Sequence, residues 1–122
     1  MFNLILLASG GAIGASSRYL ISNIIKHYTN FGFLSTLCVN IIGSFLIGYL
    51  ISIGVNKNLS NEFIKYFLII GLLGSFTTFS TFSYEVVELL LSKKIFLSII
   101  YIFLSVVICI LSTYLGMQIN KI

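Results

Sequence analysis

Long apolar runs alternate with short polar clusters along these 122 residues, and the clusters cut the chain into four segments, near 3–25, 33–54, 62–91 and 95–119. Each can cross the hydrocarbon core of a bilayer as a helix, which takes roughly 20 predominantly apolar residues. The connectors are residues 26–32, residues 55–61, and a short turn around Ser92, Lys93 and Lys94. No linker, low-complexity tract or internal repeat divides the chain further. The pattern predicts an all-α membrane protein, a single domain of four transmembrane helices. Four spans make a thin bundle with little protected interior, so a pore or large cavity implies an oligomer.

Composition excludes a soluble domain: 58% of residues are hydrophobic and 8% charged, with no tryptophan and no proline. The net charge of +4 does not point to nucleic acid, because the seven basic residues are scattered and only Lys93 and Lys94 adjoin. They read as loop charges flanking spans. Cys38 and Cys109 lie in apolar stretches without a CxxC or metal-ligand spacing, and read as small packing residues. The apolar N-terminus lacks a basic leader and stays hydrophobic to Ile25, so it is a retained span rather than a signal peptide.

The charges also bear on orientation, which follows the Lys/Arg bias between the two faces of the membrane. Four spans put Lys57, Lys65 and Lys121 on one side and Lys26, Lys93 and Lys94 on the other, with Arg18 barely tipping the balance. A chain with so little bias can insert both ways, which suggests an antiparallel dimer.

Polar positions inside the spans carry the chemistry. Span one has two overlapping small-xxx-small pairs, Gly10 with Gly14 and Gly11 with Ala15, which let another helix approach closely. Arg18, at the end of this glycine-rich stretch, either snorkels to the interface or holds an anion or a carbonyl. Span two aligns Thr36, Asn40, Gly43 or Ser44, and Gly48 on one small, polar face. The Asn40 amide either ties helices together or, facing a cavity, offers donors to an ion.

Span three is the most unusual. From Gly71 it reads Gly-Leu-Leu-Gly-Ser-Phe-Thr-Thr-Phe-Ser-Thr-Phe-Ser-Tyr, a run of hydroxyls among phenylalanines in the middle of the bilayer. Gly71 and Gly74 make this the place where the helix loosens, so the third helix is expected to be broken mid-membrane. Irregular backbone at that depth lines a cavity or is buried in protein. Phe76, Phe79 and Phe82 form one stripe, and Thr78, Thr81, Glu85 and Glu88 a second. Span four repeats the polar theme with Ser98, Tyr101, Ser105, Cys109, Ser112 and Gly116.

Amide and hydroxyl donors with phenyl ring edges favour an anion over a cation. The donors are neutral, which matters because a buried full charge would hold an anion too tightly to release it. Composition stops at a small anion. Two other classes fit four spans: a small dual-topology proton-coupled multidrug antiporter, for which Glu85 is the candidate acid, and an accessory subunit whose polar faces only bind helices together. An enzyme does not fit, because the single histidine, His27, lies in a connector and the chain has no Asp.

Three motifs together resemble one family. They are Gly-Gly-Ala-Ile-Gly-Ala-Ser-Ser-Arg-Tyr from Gly10, Thr-Leu-Cys-Val-Asn-Ile-Ile-Gly-Ser-Phe from Thr36, and the Gly71 to Ser83 segment with its Thr-Thr-Phe-Ser-Thr-Phe core. In order, over nearly the whole chain, they look like the bacterial fluoride channel family, Fluc or CrcB. The resemblance implies a dual-topology homodimer in the bacterial plasma membrane, with two antiparallel pathways exporting fluoride passively and so lowering its toxicity. It also implies a structural sodium ion at the dimer centre. By motif, Asn40 corresponds to the pore asparagine, and Phe79 and Phe82 to the phenylalanines lining the pathway. Gly74 and Thr77 correspond to the positions whose backbone carbonyls hold sodium, at a break expected to unwind from Gly74 to Thr77. Arg18 corresponds to the arginine near the pore entrance and Glu85 to the glutamate of the third span. Tyr101, Ser105 and Ser112 or Thr113 look like the polar track of the fourth span, and Thr36 shares the polar face of Asn40. Ser75 departs from the family, where a second glycine is common, and implies a slightly stiffer break.

Overall fold

The computed structural model describes residues 1–56 and 62–119. Four apolar spans make this a multi-pass protein of the plasma membrane. They are α1 (Phe2–Thr29), α2 (Gly32–Asn56), a third span in two halves, α3 (Phe63–Leu73) and α4 (Phe79–Leu91), and α5 (Ile95–Gln118). A single helical turn, Gly74–Phe76, completes the first half of the third span.

The first connector is shorter than expected from its polar residues. Helix α1 continues through Lys26 and His27, which puts the Lys26 charge in the last turn where the helix dipole favours it. It stops at Asn30, whose left-handed backbone (φ 55°) turns its N–H onto the Lys26 carbonyl at 3.1 Å. Only Asn30 and Phe31 therefore separate α1 from α2. His27 belongs to the helix, not to a loop. Lys57 and Lys121, counted above among the loop charges, lie outside the described residues. The turn at residues 92–94 is as expected, with Lys93 left-handed at φ 59°.

The bundle consists of two tight helix pairs. Gly10 and Gly14 are buried where α1 meets α3, and a Cβ on either would overlap the carbonyl of Phe67 or Leu72. Gly71 reciprocates: a Cβ there would lie 2.8 Å from the Leu7 carbonyl. Of the two small-residue pairs in span one, Gly10 and Gly14 make the contact, while Ala15 is exposed. Along α3 the backbone winds wider than an α-helix, with i→i+5 hydrogen bonding. The second pair joins α2 and α5, where Gly48 lies against the Thr113 carbonyl and Gly116 against that of Phe45. Helix α4 closes the bundle against α5 and α2.

Among the described residues, buried polar side chains (Ser35, Thr36, Ser52, Thr78, Glu85, Ser98 and Ser105) outnumber buried apolar ones (Val39, Leu73, Phe76, Phe82 and Tyr101). Large apolar side chains are exposed instead. The interior is polar and the perimeter greasy, the arrangement a lipid solvent selects.

Candidate functional site

The third span breaks at two threonines. Thr77 (φ −80°, ψ 157°) and Thr78 (φ −150°, ψ 114°) are extended, while Gly74 remains helical (φ −62°, ψ −31°) with its N–H directed to the Gly71 and Ile69 carbonyls. The break is thus later than the expected unwinding from Gly74, and Ser75 lies in the helical turn before it. Glycine permits an extended backbone without compelling it, whereas Thr78 has a partner on α2, Asn40, that favours one. Gly43 makes room for Thr77, since a Cβ there would overlap Thr77 Cγ2.

Thr78 is gripped from two directions. Its N–H donates to Asn40 Oδ1 at 2.8 Å and its carbonyl accepts from Asn40 Nδ2 at 3.1 Å, so one amide side chain pairs with the N–H and the C=O of one residue. Its hydroxyl caps α4 by accepting from the Thr81 N–H at 3.2 Å. In an unbroken helix those two N–H groups would bond to the carbonyls of Gly74 and Thr77 respectively. Both carbonyls have lost their helical donors. Gly74 is exposed on the surface of the chain.

Beside the break lies a cleft of about 380 Å3 between α2, α4 and α5, lined by Asn40, Ser44, Gly74, Thr77, Thr78, Phe79, Phe82, Ser105 and Cys109 among others. The two phenylalanines differ: Phe79 is 76% exposed and Phe82 8%, with ring centroids 5.4 Å apart. Phe82 meets Tyr101 edge-on at 5.2 Å. Ser105 is 7% exposed, and its Oγ is buried without a hydrogen-bond partner. A buried hydroxyl left unpaired costs about 1–3 kcal/mol unless something else satisfies it. Asn40 spends its oxygen and one N–H direction on Thr78, leaving at most one donor for anything else.

The other expected residues are sorted away from this cleft. Glu85 is buried and both carboxyl oxygens are bonded, Oε1 to the Thr36 hydroxyl and Oε2 to the Tyr101 hydroxyl, each at 2.8 Å. Arg18 and Thr36 line a second cleft of about 270 Å3 with Ser22, Lys26, Thr78 and Thr81. Thr78 alone, among the residues of the break, touches both clefts. Ser112 and Thr113 line neither, and the Thr113 hydroxyl turns back to the Cys109 carbonyl at 3.1 Å. Of the expected fourth-span track, Ser105 reaches the first cleft and Tyr101 serves Glu85.

Sequence reasoning did not place Thr78, Ser44 or Cys109 in the site. For Thr78 the signal was present: a threonine immediately before an apolar periodic run is an N-cap pattern. Cys109, read as apolar packing, lines the cleft one helical turn beyond Ser105.

Comparison with known proteins identifies a family for the chain. The family described as "CrcB-like protein, Camphor Resistance (CrcB)" matches residues 5–117. A protein of Ruminiclostridium cellulolyticum named fluoride-specific ion channel FluC is 40% identical over 122 residues, covering 99% of this chain and 94% of the relative. Proteins of the same name from Shewanella halifaxensis and Magnetococcus marinus are 43% and 38% identical, each covering 95% of the relative and 97% and 95% of this chain respectively. Because the family match spans residues 5–117 and these relatives are matched over nearly their whole length, this chain belongs to the CrcB/FluC family of membrane channels, which are not enzymes.

Proposed function

We propose that this chain is a fluoride-specific channel that lets fluoride leave the cell down its gradient, acting as an antiparallel homodimer with a structural sodium ion at its centre. The observation that carries the reading is the Ser105 hydroxyl, buried and unpartnered in a cleft walled by Asn40, Phe79 and Phe82. Fluoride is small and strongly hydrated, so it needs hydrogen-bond donors in place of its water. Ser105 and the remaining N–H of Asn40 supply two, and the ring edges of Phe79 and Phe82 add the positive end of the aromatic quadrupole. All four are uncharged, so the ion is held without being trapped.

The Gly74 and Thr77 carbonyls support a sodium site. Their helical donors are diverted to Asn40 and to the Thr78 cap, and hard cations take oxygen ligands. Two chains meeting at the exposed Gly74 would bring four such oxygens together with no carboxylate. Sodium there supplies a fixed positive charge that joins the two copies at their breaks. The even spread of lysines along the chain supports insertion in both orientations.

The burial of Glu85 is the feature an antiporter would need. Its oxygens are occupied by Thr36 and Tyr101, which favours a structural role within the channel. Efflux from proteoliposomes separates the two readings. A channel passes fluoride and excludes chloride, slows with Phe82→Ile, and slows when sodium is replaced by a large organic cation. Chloride flux of similar size, or proton-coupled cation uptake abolished by Glu85→Gln with no fluoride current, would reject it.

A further inference from the structure

The second cleft is lined by opposed chemistries. Arg18, Ser22 and Lys26 come from α1, four residues apart and so on one helical face, while Thr36, Thr78 and Thr81 line it from α2 and the third span. Lys26 belongs to this face because α1 runs on to Thr29, which holds the residue on the helix. Its stem folds inward over the start of α2: a Cβ on Gly32 would sit 3.8 Å from Lys26 Cε and 4.0 Å from Glu85 Oε1. Lys26 thus lies near the buried Glu85, which does not itself line this cleft. The cleft reaches Thr78, which it shares with the larger cleft containing Ser105.

We propose that Lys26 is a steering residue of the anion pathway: at the mouth of the Arg18 cleft its ammonium concentrates small anions in the space lined by Thr36, Thr78 and Thr81, and so helps to set the rate of entry. The inference rests on the fluoride-channel reading and adds to it a residue that touches no narrow part of the path. A cleft of one charge sign with low-dielectric walls focuses the field and raises local ion concentration. Because Lys26 is exposed, its field is screened by salt, over about 30 Å at 0.01 M but only about 8 Å at 0.15 M.

The test is initial fluoride efflux from liposomes containing the full chain, with sodium held constant and ionic strength set by a potassium salt of an impermeant anion. Lys26→Gln should be roughly 3- to 10-fold slower than wild type near 0.01 M ionic strength and within about 2-fold near 0.3 M. Lys26→Arg should keep the wild-type rate at both. A Lys26→Gln rate equal to wild type at low salt would overturn the inference. So would a deficit that is the same at both ionic strengths and is shared by Lys26→Arg, since that marks a structural role. Wild-type protein that passes no fluoride at all would overturn the channel reading itself, and the inference with it.

Discussion

Replacing Asn40 with Leu tests the central joint of the protein. The substitution keeps a branched side chain but removes both hydrogen bonds to the Thr78 backbone, at 2.8 and 3.1 Å. Interhelical hydrogen bonds within bilayers are worth about 0.6 kcal/mol each on average and about 1.7 at most, so two give about 1–3 kcal/mol. Thr78 is 7% exposed, so its freed N–H cannot turn to water. The nearest remedy is to return to the Gly74 carbonyl and heal the helix. Asn40→Leu should therefore lower the free energy of unfolding in bicelles by about 1–3 kcal/mol. It should also bring fluoride efflux close to that of empty liposomes and make the residual rate indifferent to sodium. Asn40→Asp, which can still accept the Thr78 N–H but cannot donate to its carbonyl while ionised, should fall between them in fold. A stability loss below about 0.5 kcal/mol, together with unchanged and still sodium-dependent efflux, would refute the view that Asn40 holds the break open.

Three further substitutions separate folding from conduction. Ser105→Ala removes a buried hydroxyl with no partner, so the protein should be no less stable while fluoride efflux falls; equal efflux would remove Ser105 from the pathway. Tyr101→Phe leaves Glu85 Oε2 buried and unpaired and should destabilise the protein by about 1–3 kcal/mol in the same unfolding measurement. Gly14→Val forces a side chain into the Leu72 backbone and should destabilise by about 1–3 kcal/mol or more, whereas Ala15→Val, on the exposed side of α1, should fold normally.

Much of the fold was legible because lipid makes the rules simple. The four apolar runs correspond to four helical spans, and the hydroxyl-rich middle of the third run contains the break. Errors of detail were local. The polar residues 26–29 suggested a loop, but no glycine or proline interrupts α1 before Asn30, so the helix ran on. The break was expected from Gly74 because glycine loosens helices. The structure instead shows the backbone extended at Thr78, where Asn40 of α2 takes both its N–H and its carbonyl.

The site was legible as a set of residues and not as an arrangement. Asn40, Phe79, Phe82 and Ser105 converge on one cleft, yet the same polar stripes contain Tyr101 and Thr36, which bind Glu85, and Thr113, which bonds within its own helix. Helical spacing assigns a face, and each of these residues was on a polar one. It does not say which neighbouring helix that face meets or whether a hydroxyl there is already satisfied.

By itself, the sequence determined that this is a four-span membrane protein with a polar interruption in its third span, because hydropathy and helix length are properties of single segments. The tertiary structure decided what that interruption does. An amide from α2 takes the N–H of Thr78 and a threonine cap takes the N–H of Thr81, so the Gly74 and Thr77 carbonyls lose their helical partners. The first of these exchanges depends on a side chain 38 residues away in the chain, and a contact at that separation exists only once the helices have packed.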